Sequence, residues 1–141
     1  MTGNEHDFAF GDVFEDAPGQ LDEIYVREYN KIDKLQFNFK GRKGHAVGGE
    51  GGEAHSVKVK DGAYLTRIET WWDFDLHGIR FGFSDGSCTG TLGNRRNGGK
   101  FHQVISYPDH YISAVKIGKR LHELQIGFTP MPNYYDIKKL G

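Results

Sequence analysis

Cysteine is all but missing from this chain. Cys88 stands alone, so no internal disulfide can staple the fold and nothing demands an oxidising compartment. An excess of charge of one sign is also missing. The formal net charge is −1, which removes the basic signature of a protein held to nucleic acid by phosphate contacts. No stretch approaches the roughly 18 consecutive apolar residues of a membrane span. Met1 to Phe10 is polar and carries no apolar signal-peptide core, so a cytoplasmic or non-classically secreted protein is expected. A period of 3.6 residues is nowhere convincing, and no long helix is expected. Proline is scarce, with four residues. What is plentiful is glycine: 20 of 141 residues, about twice the usual usage of roughly 7%. The glycines cluster at definite places, which favours tight turns over disorder.

A phrase occurs three times. Ile32-Asp33-Lys34-Leu35-Gln36-Phe37-Asn38-Phe39 returns as Leu76-His77-Gly78-Ile79-Arg80-Phe81-Gly82-Phe83 and as Leu121-His122-Glu123-Leu124-Gln125-Ile126-Gly127-Phe128. The steps are 44 residues (33 to 77) and 45 residues (77 to 122), the mark of one supersecondary unit used three times. Within each copy, apolar and polar residues alternate from Leu35, Ile79 and Leu124 onward, the strand period. A second strand precedes each copy, at Leu21–Val26, Leu65–Thr70 and Ile112–Ile117, and a valine (Val13, Val57, Val104) stands eight residues before each of those. Pro18-Gly19, Asp61-Gly62 and Pro108-Asp109 are sound turn pairs between them. Each unit reads as strand, turn, strand, loop, strand, Gly-rich connection. Three small antiparallel sheets cannot each bury a face alone, but around a common axis they can share one core of Phe, Leu and Ile. The expectation is a single all-β domain over residues 1–141, a prism of pseudo-threefold symmetry with its core at about 10–130 and a tail over 130–141.

The run from Gly48-Gly49-Glu50-Gly51-Gly52 through Val57 and Asp61-Gly62 to Tyr64-Leu65 resembles the central segment of jacalin-related lectins. There a GG-x-GG loop precedes a strand, followed by an acidic-Gly turn, an aromatic and Leu. The strand pair around Ile24 and Leu35 and the segment Gly93 to Phe128 resemble the flanking parts, so the likeness spans most of residues 10–130 in order. It implies the β-prism I fold, with three Greek-key-like four-stranded sheets. It also implies non-enzymatic, calcium-independent binding of mannose, glucose or galactose, with no cofactor.

The family's sugar loop is G-x-x-x-D. The corresponding pentads are Tyr29-Asn30-Lys31-Ile32-Asp33, Asp73-Phe74-Asp75-Leu76-His77 and Gly118-Lys119-Arg120-Leu121-His122. The first keeps the Asp, the third the Gly, the second neither. A neutral sugar offers only directional hydroxyls. Gripping it takes a carboxylate that accepts from two of them and a backbone that glycines let approach closely. The first-choice site is Asp33 with Asn30 and Lys31, opposed by Gly51 and Gly52, and the expected ligand is a mannose- or glucose-containing glycan. Tyr29 either blocks this pocket or supplies a ring. The secondary candidate is Gly118, Lys119, Arg120 and His122, whose cations suit an acidic glycan and whose partner loop should come from Gly3-Asn4.

Bland readings stand beside these. The glycine run is a plain connection between sheets, and Asp33 caps a turn. Trp71 and Trp72, consecutive at a strand end, point to opposite faces, so one is expected in the core and the other exposed; the bland reading is that Trp72 covers the open end of the prism. Gly93 to Lys100 is a basic loop that turns the chain between units. The seven histidines (His6, His45, His55, His77, His102, His110, His122) show no zinc-ligand spacing, so no metal is expected, although His77 and His122 occupy equivalent loop positions and could approach each other. Asp73 with Asp75 and Glu50 with Glu53 are carboxylate pairs with nothing to mark a glycosidase. The apolar tail with Tyr134, Tyr135, Ile137 and Leu140 suits an edge strand, packing on the prism wall, or a homo-oligomer contact. Two rival functions remain open: a protein-interaction module that kept the fold and lost the sugar, and a targeting domain of a larger assembly.

Overall fold

The computed structural model describes residues 20–95 and 97–132. Among these residues lie ten strands: β1 (Leu21–Glu28), β2 (Ile32–Phe39), β3 (Val47–Gly48), β4 (Glu53–Lys58), β5 (Leu65–Trp72), β6 (Leu76–Phe83), β7 (Leu92–Gly93), β8 (Phe101–Ile105), β9 (His110–Ile117) and β10 (Leu124–Pro130). Two four-stranded antiparallel sheets share one order, β3-β2-β1-β4 and β7-β6-β5-β8, and β9 pairs with β10 in a third. Val13, the valine expected to open the first unit, lies outside the described residues, as do Pro18-Gly19 and the tail beyond residue 132. Asp61-Gly62 and Pro108-Asp109 turn as read, with Gly62 at φ +82° and Asp109 at φ +62°.

The sequence repeat and the sheets are out of phase by one strand. Val57 belongs to β4, which leads into β5 along the chain. Yet β4 hydrogen-bonds to β1, with Ile24 opposite Val57. Likewise β8 leads into β9 but pairs with β5. The second and third repeats therefore each lend their first strand to the sheet of the repeat before, and the lent strand covers an edge that would otherwise stand open.

One apolar face of every sheet turns inward. Ile24, Val26, Leu35, Ile68, Ile79, Phe81 and Ile112 are fully buried and form one continuous cluster. Phe37 of β2 meets Phe81 of β6 edge-on, ring centres 5.9 Å apart at 82°, which locks the first two sheets together. In the third copy the strand begins at Leu124 rather than at the Leu121 of the repeated phrase. Leu121 and His122 form a turn, and Leu121 closes the core from there.

The ladders slip at two recurrent places, one just after Leu21 and Leu65 and one at the far end of the same strands. Glu28 pairs with Ile32 and Arg27 with Lys34, so Asp33 has no partner across the ladder. In the second sheet Trp72 pairs with Leu76 and Trp71 with Gly78, which leaves His77 in the same position. These are β-bulges, one extra residue each, and they turn the bulged side chain out of the regular pleat.

Replacing Phe81 by Ala should cost roughly 3–5 kcal/mol in urea unfolding, because a large buried ring leaves a cavity shared by two sheets. Val104→Ala, on an exposed strand, should stay within about 0.5 kcal/mol. Similar losses in the two variants would refute the shared core.

Candidate functional site

The bulge residue Asp33 meets the glycine loop that enters β4. A Cβ built on Gly51 would lie 2.8 Å from Asp33 Oδ1, and one on Gly52 would lie 2.7 Å from Oδ2. The carboxylate thus rests against both glycines, in space that any side chain there would fill. The loop is fastened from several directions. Gly49 N–H donates to the Asp33 carbonyl at 2.8 Å. The Arg27 guanidinium donates from Nε to the Gly51 carbonyl and from Nη2 to the Gly52 carbonyl, both at 3.0 Å. Lys34 Nζ pairs with Glu50, and its hydrogen bond and charge hold the Glu50 carboxyl below its ordinary range. At Gly48 glycine is obligatory: φ is +124°, and a Cβ would stand 2.0 Å from the Asp33 carbonyl oxygen. The glycine run is a shaped wall, not a slack connection.

Asn30 and Lys31 turn toward the second repeat instead. The Asn30 carbonyl accepts from Asn94 N–H at 3.1 Å, and Lys31 Nζ lies 3.7 Å from Asp75. Tyr29 is exposed, with the Arg95 guanidinium over its ring at 4.6 Å. Of the five first-choice residues, the structure gathers Asp33, Gly51 and Gly52 into one feature, with Asn30 and Lys31 at its flank.

Behind the glycine pair sits Glu28, the last residue of β1 and almost wholly buried. Its Oε1 accepts from Gly93 N–H at 2.6 Å and from Arg95 Nη1 at 2.7 Å. Burial pushes this carboxyl up, but the Arg95 and Gly93 hydrogen bonds, with the charges of Arg95 and His55, outweigh it and hold it below its ordinary value. Sequence reasoning missed Glu28, because its partners stand on the second repeat's loop, 65 and 67 residues along the chain.

The segment 93–99 does more than turn the chain, which corrects the reading of it as a plain connection. It faces the second pentad as the glycine run faces the first: a Cβ on Gly98 would come within 2.7 Å of the His77 ring, and one on Gly93 within 2.5 Å of the His77 carbonyl. Here, however, the feature satisfies itself. His77 Nε2 lies 2.8 Å from Asp73 Oδ1, which also accepts from the N–H groups of Phe74 and Asp75. Burial pushes the Asp73 carboxyl up, and those three hydrogen bonds bring it below its ordinary value.

The secondary candidate is dispersed. Gly118 N–H donates to the Glu123 carbonyl at 2.7 Å, Lys119 is exposed, Arg120 lies over the Phe74 ring at 4.1 Å, and His122 stacks on Trp72 at 4.3 Å. Its expected partner, Gly3-Asn4, lies outside the described residues. His77 and His122 thus each have a partner of their own. The two tryptophans do not divide into core and exposed as read. Both are half-buried, Trp71 stacked on His102 and Trp72 between His122 and Phe101. A separate hollow of about 340 Å³ lies over the outer face of β5 and β6, lined by Arg67, Glu69, Arg80 and Cys88, where Glu69 is already matched by Arg67, Arg80 and His102.

Residues 2–104 match the profile of the jacalin-like lectin domain. Among solved structures, wild-type Malaysian banana lectin superposes with a TM-score of 0.66 at 18% identity, over 81% of this chain and 86% of that one. AcmJRL, a mannose-binding jacalin-related lectin from Ananas comosus, gives 0.64 at 23% identity over 80% and 84%. Artocarpin in its complex with mannotriose gives 0.65 at 13% identity over 78% and 83%. Likeness at these identities establishes the β-prism fold. No curated protein matches the sequence.

The stabilisation that Glu28 gives as a carboxylate is in place above its ordinary value of 4.5 and fades as pH falls through its lowered folded value. Glu28→Gln should therefore lower Tm at pH 7 and lose less Tm than the parent between pH 7 and pH 3. Parallel Tm profiles in the two proteins would contradict this role.

Proposed function

The chain belongs to the jacalin-like lectin family, and from that premise we propose that it is a non-enzymatic carbohydrate-binding module for a neutral hexose of the mannose or glucose type, held at Asp33, Gly51 and Gly52. What carries the reading is the contact of the Asp33 carboxylate with both glycines. An ionised carboxylate accepts strong hydrogen bonds from two neighbouring hydroxyls, and the missing side chains at 51 and 52 let a sugar ring reach it. The Arg27 and Lys34 contacts hold the loop before a ligand arrives, which lowers the ordering cost of binding. The sugar contact itself needs no metal, since hydroxyl donors and a carboxylate acceptor complement each other directly. Asn30 and Lys31 flank the carboxylate but are turned toward the second repeat, so the grip is assigned to Asp33 and the two glycines. Two of the neighbouring lectins are described as mannose-binding or as holding mannotriose, which points to the same sugar class.

One shallow site of this kind binds at about the millimolar level, near 4 kcal/mol. Strong retention on a glycan surface then requires several copies acting together. The self-satisfied second pentad adds no equivalent open carboxylate, so multivalency calls for several copies of this module.

A glycan array followed by calorimetry with methyl α-mannoside tests the assignment. Binding should weaken by about tenfold or more in Asp33→Asn, the loss of a charge-assisted hydrogen-bonding pair, with Tm unchanged. An array without any glycan signal from the folded protein would instead support the protein-interaction reading, for which the exposed Phe74 and Phe101 beside Trp72 offer a surface. Glycan binding that Asp33→Asn leaves untouched would move the site elsewhere.

A further inference from the structure

Behind the glycine pair, the β1–β4 ladder gathers two carboxylates and an imidazole. Glu28 stands directly opposite Glu53, and Val26 opposite His55. On an extended strand, residues two apart share a face, so Glu53 and His55 lie on one side of β4 with Glu28 across from them. One ligand-type atom from each of the three falls within 4.8 Å of the others. Their burial is graded: Glu28 is almost wholly buried, while Glu53 and His55 open to solvent.

Glu28 makes this more than a chance cluster. Its Oε1 is fully engaged by Gly93 and Arg95. Its Oε2 is buried and accepts no hydrogen bond, although His55 Nε2 lies 2.6 Å away. A buried carboxylate oxygen without a hydrogen bond is costly. Like charges directly opposite each other on neighbouring strands add a further penalty, which Arg95 offsets by direct contact at Glu28 and by charge alone at Glu53. The other histidine–glutamate pair across a strand ladder behaves differently. His102 Nε2 makes a regular hydrogen bond to Glu69 Oε2 at 3.0 Å, and Arg67 and Arg80 complete that carboxylate's partners.

We propose that Glu28 Oε2, His55 Nε2 and a Glu53 carboxylate oxygen form a site for a divalent cation of the zinc type, exposed to solvent on its fourth side. One imidazole nitrogen and two carboxylate oxygens suit borderline Zn²⁺ at about 2.0–2.2 Å, whereas Ca²⁺ asks for six to eight oxygens. Tetrahedral ligand atoms stand roughly 3.4 Å apart at such bond lengths. His55 and Glu53, both solvent-facing, have the freedom to reach that spacing around the fixed Glu28. The role is structural. Glu53 follows Gly52 directly, and a Cβ on Gly52 would lie 2.9 Å from the Glu28 backbone, so the cation would clamp the end of the ladder on which the glycine loop rests. No sugar contact is assigned to the metal, and the inference stands whether or not the lectin reading does. The sequence hid this site because it pairs Glu-x-His on one strand with a glutamate 25 residues earlier (28 to 53), a spacing that no histidine or cysteine pattern signals.

The test titrates ZnCl₂ into the chelator-stripped full chain by calorimetry and follows Tm. About one zinc should bind per chain, at roughly micromolar affinity, and Tm should rise with zinc. His55→Ala and Glu53→Gln should each weaken binding by about tenfold or more and remove the Tm rise, while His102→Ala should titrate like the parent. Circular dichroism checks that His55→Ala is folded; should it not be, Glu53→Gln, at an exposed strand start, decides alone. Absence of zinc binding in the parent would leave a plain histidine–carboxylate contact and overturn the proposal. So would zinc binding that persists unchanged in both ligand variants.

Discussion

At its Glu28 end the ladder between β1 and β2 carries one residue too many, because Glu28 is paired with Ile32 and Arg27 with Lys34, and the placement of the candidate chemistry follows from that surplus at Asp33. A regular strand sends alternate side chains inward and outward. The bulge breaks this rule at the rim, after the inward set Leu35 and Phe37 has been committed to the core. The carboxylate therefore swings to the strand end without disturbing the packing beneath it. Backbone bonds then build the wall around it: the carbonyl of the same bulged residue receives Gly49 N–H. The same device at His77 yields a closed feature, since the imidazole turns to Asp73. One geometry thus gives an open acceptor in one repeat and an internally satisfied pair in the next, and the difference lies in the side chain carried by the bulge.

Glu28 joins the repeats. Its buried carboxylate takes hydrogen bonds from Gly93 and Arg95 of the next unit's loop while its backbone lies under Gly52. Two rim loops on neighbouring sheets are referred to one side chain. A buried carboxylate is tolerable only with such partners, and the partners are in turn fixed in place by it. Rim geometry and prism geometry are coupled at this point, which explains how loops rich in glycine hold a defined shape.

Much of the fold was legible because it rests on local pattern. The alternation from Leu35 to Phe39 and from Ile79 to Phe83 set β2 and β6, and Asp61-Gly62 and Pro108-Asp109 marked real turns. The step from Ile32 to Leu35, repeated at Leu76 to Ile79, even carries the signature of the bulge: two residues stand between two buried positions where one would keep the alternation. The facing of Asp33 by Gly51 and Gly52 also followed from the resemblance. Other parts were not legible. Trp71 and Trp72 both became half-buried, because His102, Phe101 and His122 reach them from β8 and from the third pentad. The segment 93–99 looked like a connector, since nothing local says that its glycines meet His77.

The sequence by itself determined the number of repeats, the strand character of each and the residues that face inward, because these depend on side-chain period and turn chemistry within a few residues. Only the tertiary structure decided that β4 completes the sheet of β1 while leading into β5. The same is true of the meeting of Glu28 with Arg95, and of the closing of Glu53 and His55 on a glutamate across the ladder. Those contacts arise when sheets that share one core bring distant edges together, and no local preference along the chain encodes such an encounter.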